Sequence, residues 1–101
     1  MRLKAELERA MEDYLVEQAS KDGCVCIKSE NIKGRAHYPD QLILTPQRTF
    51  YWMEFKLEYN GLSPGQEVIV KTLKKKGHSV YVPKTLDQAL LYHEFEMNRN
   101  G

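Results

Sequence analysis

The stretch that decides the fold is PDQLILTPQRTFYWMEFKL, residues 39–57. Two apolar runs are joined here by Pro46-Gln47-Arg48, a tripeptide typical of a turn. The second run is rich in aromatic and branched residues, as expected of a central strand. We therefore predict a β-hairpin whose strands cover Asp40–Thr45 and Thr49–Leu57.

Charged residues interrupt the apolar pattern of this hairpin. Alternation along the second strand puts Glu54 and Lys56 on one face with Trp52. A buried charge is costly unless it is paired or binds a metal. Asp40 begins the neighbouring strand and would face Glu54, and two such carboxylates repel each other unless a divalent cation lies between them. The spacing therefore favours an oxygen-ligand site for Mg²⁺ or Mn²⁺, with a solvent-exposed edge hairpin as the alternative.

The rest of the chain predicts three helices and two further strands. Apolar residues recur every four positions over Leu3–Ser20. Ser63 caps a second helix that starts at Pro64 and ends at Gly77, with Gln66 as its capping-box partner. The remaining elements are strands at Cys24–Ser29 and His78–Val82 and a helix at Thr85–Met97. The residues predicted to face inward are Leu3, Leu7, Met11, Leu15 and Ala19 in the first helix, Val68, Ile69, Thr72 and Leu73 in the second, and Leu86, Leu90, Leu91 and Phe95 in the last. The order α-β-β-β-α-β-α predicts an α/β domain with a small mixed β-sheet flanked by helices.

Composition limits the class of protein. The chain has 101 residues, of which 42% are hydrophobic, and its formal net charge is +1. These values predict one globular domain over residues 1–101 and argue against intrinsic disorder. The sequence shows neither an apolar run long enough for a bilayer nor a signal peptide, so we expect a cytoplasmic protein. Cys24 and Cys26 lack the partners of a zinc site and are interpreted as small buried hydrophobes.

Five motifs, read together, resemble the VRR-NUC (virus-type replication-repair nuclease) branch of the PD-(D/E)XK nuclease superfamily. They are Glu8, Pro39-Asp40, Glu54-Phe55-Lys56, Leu62-Ser63-Pro64-Gly65-Gln66 and Gly77-His78-Ser79-Val80-Tyr81-Val82. Each motif is weak alone, but they occur in the family's order over about Glu8 to Val82. The resemblance implies a restriction-endonuclease-like core.

The resemblance also implies roles for individual residues. Asp40 and Glu54 would bind Mg²⁺ (or Mn²⁺) together with the backbone carbonyl of Phe55, and Lys56 would be the catalytic lysine. Glu8 would be the carboxylate that the first helix contributes, with Glu6 and Glu12 as alternatives. Gln66 matches the family's catalytic-site glutamine, and closing the capping box is an equal alternative. The residues expected to contact DNA are Lys33, Arg35, Lys71, Lys74 and Lys75, although a lysine run at a helix end is often only solvated.

At the level of function, the resemblance implies a metal-dependent, structure-selective DNA endonuclease. Stand-alone phage members of this type suggest a homodimeric Holliday-junction resolvase acting on branched DNA in the host cytoplasm. The last helix is the candidate dimer interface, with a role in the core as the alternative. Rival functions are a flap- or end-processing nuclease of the same fold, a non-catalytic DNA-binding module, and a protein-interaction domain.

Overall fold

The fold is seen in a computed structural model, which describes residues 2–31, 34, 36–57 and 61–99, with side chains from residue 6 onward and not at residue 31. Its elements are α1 (Arg2–Lys21), β1 (Val25–Lys28), a 3₁₀ turn (Ser29–Asn31), β2 (Gln41–Leu44), β3 (Phe50–Met53), α2 (Pro64–Lys75), β4 (Ser79–Tyr81) and α3 (Leu86–Met97). This order confirms the predicted α-β-β-β-α-β-α arrangement. None of the helices in the described ranges is long and apolar enough to cross a bilayer.

The four strands form one mixed sheet in the order β1-β2-β3-β4. β1 pairs with β2 and β2 pairs with β3 in antiparallel fashion, which gives the predicted hairpin. β4 lies parallel to β3, with Trp52 opposite Val80. A parallel pair needs a crossover connection, and α2 provides it. As a result, α2 begins beside the carboxyl end of β3 and ends beside the start of β4.

β3 is shorter than the predicted strand, because regular pairing ends at Met53. The chain nevertheless stays bonded to the segment that follows β4. The amide of Glu54 donates to the carbonyl of Tyr81 (3.0 Å), and the amide of Lys56 donates to the carbonyl of Pro83 (3.2 Å). These bonds hold the charged end of the hairpin against the sheet.

Helices cover both faces of the sheet. On one face, Leu15 and Ala19 of α1 and Ala89 of α3 pack with Tyr51 and other buried strand residues. On the other face, α2 and the sheet bury a second cluster, formed by Trp52, Val70, Leu73 and Val80. The predicted alternation is therefore confirmed, since Tyr51 and its neighbour Trp52 enter different clusters.

The predicted inward face of α3 is wrong in part. Leu91 and Phe95 are 65% and 60% exposed, whereas Ala89, His93 and Glu96 are buried. The physical reason is that the two polar residues find partners inside. Tyr51 Oη lies 2.6 Å from His93 Nδ1, and the hydroxyl of Tyr81 donates to the carboxylate of Glu96.

Smaller corrections concern the other two helices. In α2, Val68 is 62% exposed and Val70 takes the inward position beside Leu73. Thr72 is exposed as well, and its hydroxyl donates to the carbonyl of Val68 (2.8 Å). In α1, Leu7 is 47% exposed. The apolar residues of α1 join the core from Met11 onward.

The two cysteines are unpaired thiols, of which Cys24 is buried and Cys26 half-buried. Burial, reinforced by the neighbouring charges of Cys26 and Asp22, raises the pKa of Cys24 to about 11. Its thiol donates to the sulfur of Met97 (3.5 Å). An apolar thiol of this kind is unreactive, which agrees with the interpretation of Cys24 as a small hydrophobe.

Candidate active site

The centre of the candidate site is the contact between Asp40 and Glu54, where β2 begins and β3 ends. The backbone amide of Asp40 donates to Glu54 Oε1 (3.0 Å). Glu54 is only 3% exposed, while Asp40 is half-buried. The structure thus brings together the two carboxylates that the hairpin predicted.

Lys56 completes this group. Its Nζ lies 3.5 Å from Glu54 Oε2, and its side chain is 22% exposed. The backbone at Gly61 approaches closely, because a Cβ there would lie 3.1 Å from Cβ of Lys56. Gly61 also has φ +30, in the region that favours glycine. A glycine therefore lets the chain after the site pack against the lysine.

The electrostatics of the pair favour protonation. Burial raises the pKa of Glu54 to about 7, with a further increase from the charge of Asp40. Lys56 and the amide of Asp40 oppose this shift. The pKa of Asp40 is also raised, first by burial and then by the charge of Glu12, against the opposing charges of Lys28 and Lys56. Two carboxylates with raised pKa values at one place would gain from a cation between them.

The acidic residues of α1 divide between two positions near this pair. Glu12 is 7% exposed, accepts a hydrogen bond from Gln41 Nε2 (2.6 Å) and lies 3.3 Å from Lys28 Nζ. Glu8 lies about one turn earlier, and its Oε2 accepts from the amide of Leu57 (2.9 Å). The charge of Glu12 therefore acts on Asp40, while Glu8 holds the backbone that follows Lys56. The assignment of the helix carboxylate to Glu8 stays a prediction.

Gln41 is a buried polar residue beside Glu12 that the sequence analysis missed. It is 4% exposed, and its Oε1 has no hydrogen-bond partner among the described residues. An unpaired buried oxygen is uncommon and costly. The sequence did contain a signal of this, because Gln41 is a polar residue on the same face of β2 as Ile43, two positions before it. Its proximity to Glu12 depends on how α1 docks, and no local pattern encodes that.

Gln66 closes the predicted capping box at the start of α2. Its Oε1 accepts from the backbone amide of Ser63 (3.0 Å), and the backbone amide of Gln66 donates to Ser63 Oγ (3.2 Å). Nearby, His37 packs its ring where a Cβ at Gly65 would fall, 2.8 Å from the ring atoms. His37 is exposed and has φ 69, a strained value for a residue other than glycine.

The predicted DNA-contacting residues lie in two places. Lys71, Lys74 and Lys75 are exposed on α2. Lys33 and Arg35 lie outside the described residues. The exposed lysines occupy the half of α2 remote from Asp40, which separates them from the carboxylate pair along the helix.

A divalent cation fits the carboxylate pair better than it fits a larger cluster. Among residues 2–31, 34, 36–57 and 61–99, no three His, Cys, Asp or Glu side chains are grouped so that they would hold a metal ion. Asp40 and Glu54 are the available ligands at the end of the hairpin. Water completes the coordination shell of Mg²⁺ in sites of this kind.

The chain is similar to a known protein in its structure. No family model matches the chain, and no curated protein matches it. A solved structure of a VRR_NUC domain is similar to this chain, with a TM-score of 0.76 and 25% sequence identity over 86% of this chain and 94% of that one. The resemblance drawn from the five motifs and the predicted fold class are thereby confirmed.

Proposed function

We propose, on the premise that this chain has the VRR-NUC fold, that it is a metal-dependent nuclease of the PD-(D/E)XK type. The observation that carries the proposal is the contact of buried Glu54 with both the amide of Asp40 and the ammonium of Lys56. Burying one carboxylate beside another costs stability. A divalent cation between the two carboxylates would offset this cost.

Each residue of the group has a distinct task in the proposed reaction. Asp40 and Glu54 would hold Mg²⁺ or Mn²⁺, with the carbonyl of Phe55 as a third oxygen ligand. When bound, the metal supplies Lewis-acid stabilisation of the phosphodiester and lowers the pKa of water. Lys56 orients the attacking water by hydrogen bonding and offsets negative charge that develops on the phosphate.

The surrounding acidic and amide residues position this group. Glu8 fixes the backbone after Lys56 through the amide of Leu57. Glu12 acts on Asp40 through its charge, and for this reason we propose it, in place of the predicted Glu8, as the carboxylate contributed by α1. Gln66 acts as a helix cap in the described contacts, and its predicted catalytic role remains a separate hypothesis.

The substrate that we propose is branched DNA, cut by a homodimer in the manner of a Holliday-junction resolvase. Leu91 and Phe95 support the dimer, since both are largely exposed one turn apart on α3. Apolar surface of this kind often marks an interface. Replacing both by serine is expected to shift a dimer to a monomer in sedimentation analysis, with the thermal unfolding of the fold retained. Unchanged sedimentation would remove α3 as the interface.

The test of function is cleavage of end-labelled DNA of four kinds: four-way junction, flap, duplex and single strand, each with Mg²⁺, Mn²⁺ or EDTA. We expect cutting that needs the metal and is lost in Asp40→Asn. Paired symmetric nicks confined to the junction support a resolvase. Cutting of flaps or ends instead would support the alternative nuclease function. DNA binding without metal-dependent cutting of any substrate would favour the non-catalytic module and overturn the proposal.

A further inference from the structure

A polar cavity lies at the end of the sheet opposite the carboxylate pair. It has a volume of about 270 Å³, and its walls include Arg48, Phe50, His78 and Arg99. Phe50 begins β3, and Glu54 follows its end. Four residues of extended chain span about 13 Å, so the cavity is separate from the candidate active site.

Arg99 is fixed at the edge of this cavity. Its Nη1 donates to Ser79 Oγ (2.9 Å) and to both carboxylate oxygens of Glu96 (3.1 and 3.2 Å). Glu96 is fully buried and also accepts from the hydroxyl of Tyr81. All of these contacts use one guanidinium nitrogen, which leaves the other donors of Arg99 for a ligand.

Arg48 supplies a second positive charge to the cavity. It is exposed, and its guanidinium makes no hydrogen bond or ion pair with the described part of the chain. Its φ is 70, in the left-handed region, which costs a residue with a Cβ about 1–2 kcal/mol relative to glycine. Arginine therefore stands at a turn position where glycine would be more stable, and it lines the same cavity as Arg99.

An exposed aromatic ring completes the cavity. Phe50 is 43% exposed, and its ring lies 5.4 Å from that of His78 at an angle of 41°. Guanidinium groups bind phosphate through paired hydrogen bonds. Exposed aromatic rings beside such cations stack on the bases of unpaired nucleotides. The combination is therefore suited to a nucleic-acid strand.

The position of α2 connects this cavity to the candidate active site. α2 starts beside the carboxylate pair and ends with Lys74 and Lys75, both exposed, near the start of β4 where the cavity lies. Twelve helical residues measure about 18 Å. Successive nucleotides of one strand rise about 3.4 Å in B-DNA, so the lengths of β3 and α2 correspond to about four to five nucleotides.

We propose that this cavity is a second DNA-contacting site, in which Arg48 and Arg99 bind a backbone phosphate about four to five nucleotides from the cleaved bond. Phe50 offers a stacking surface to the neighbouring base where that base is unpaired. The proposal rests on the proposed nuclease function for the identity of the ligand. It extends the DNA path along α2 to the opposite end of the sheet.

The test is binding of a fluorescein-labelled single-stranded 12-mer, in EDTA, measured by anisotropy over a salt series. We expect Arg48→Gly to weaken binding about tenfold and to lower the salt slope by about 0.7, the value for one phosphate contact. The same variant should unfold at a higher temperature than the wild type, because glycine relieves the left-handed strain. Lys21→Gln, which removes a charge at the same end of the sheet but outside the cavity, should bind within twofold of the wild type.

Two outcomes would overturn the proposal. They are unchanged binding by Arg48→Gly, whether or not inorganic phosphate competes with the 12-mer, and equal weakening by Lys21→Gln. A Phe50→Leu variant tests stacking, since its loss of affinity should disappear on a 12-mer of abasic nucleotides. Absence of cleavage by the wild type would refute the nuclease function but leave these binding results to decide the cavity.

Discussion

Replacing Glu54 by glutamine should stabilise the protein at pH 8 while abolishing its proposed activity. Burial and the charge of Asp40 raise the pKa of Glu54 from the ordinary 4.5 to about 7. Each pKa unit corresponds to about 1.4 kcal/mol, so keeping Glu54 ionised costs the fold about 3 kcal/mol at pH 8. Glutamine resembles the protonated acid in shape and retains an oxygen that accepts from the amide of Asp40. The variant should therefore avoid this cost.

The sign of the pH dependence follows from proton linkage. Between pH 4.5 and pH 7 the unfolded chain has released the proton of this carboxyl group, whereas the folded protein retains it. The free energy of unfolding of the wild type should therefore fall as pH rises through this window and then level off. In Glu54→Gln this contribution is absent, so the two proteins should have similar stability near pH 5 and diverge toward pH 8.

The assay is thermal or urea unfolding at a series of pH values from 5 to 8 in EDTA. A difference of about 3 kcal/mol corresponds to an increase in Tm of about 10 °C or more for a domain of this size. Glu17→Gln is the matched control because Glu17 is 65% exposed on α1, and it should change stability by less than about 0.5 kcal/mol. A lower Tm for Glu54→Gln at pH 8, or the same pH slope as the wild type, would refute the reasoning.

Four further substitutions test other parts of the structure. Ser63→Ala removes the cap of α2 and should cost about 1 kcal/mol in urea unfolding, whereas an unchanged midpoint would show that the cap is not stabilising. Tyr51→Phe leaves buried His93 without the partner of its Nδ1 and should cost about 1–3 kcal/mol; a stability equal to that of the wild type would contradict this contact. Glu12→Gln should reduce single-turnover cleavage about tenfold, because the site loses a negative charge that attracts the cation, while Glu8→Gln keeps the oxygen that binds the backbone and should cut within threefold of the wild type. The reverse order would return the role of helix carboxylate to Glu8.

Local patterns were sufficient for the architecture of the chain. The capping box of Ser63 and Gln66 was predicted from the sequence and is present in both directions. The alternation of Tyr51 and Trp52 was also predicted correctly, because the period of a strand is independent of what packs on it. Features of this kind depend on residues that lie within a few positions of one another.

The inward face of α3 could not be predicted in the same way. Hydrophobicity favoured Leu91 and Phe95, but His93 and Glu96 are buried because distant tyrosines satisfy their hydrogen bonds. Those partners lie on β3 and β4, so the preference becomes visible only once the sheet is assembled. Tertiary pairing of polar groups here outweighs the local apolar pattern.

In the candidate site, too, the contacts within one hairpin were predictable and the contacts between distant elements were not. Spacing within one hairpin was enough to bring Asp40 and Glu54 together, since the register of antiparallel strands fixes which residues face each other. The relation of Glu8 and Glu12 to that pair was not predictable. The two glutamates are four residues apart on one face of α1, and only the docking of α1 on the sheet distinguishes their contacts.

The most direct test of the proposed active site is single-turnover hydrolysis of a labelled four-way junction with Mg²⁺, comparing the wild type with Lys56→Met at concentrations that saturate binding. Lys56 touches Glu54 at the buried pair, so its loss should lower the rate of hydrolysis at least a hundredfold while leaving DNA affinity nearly unchanged. Lys21→Met, at the exposed end of α1, should cleave at the wild-type rate. Metal-dependent hydrolysis by Lys56→Met at the wild-type rate would contradict the assignment of Asp40, Glu54 and Lys56 as the hydrolytic site.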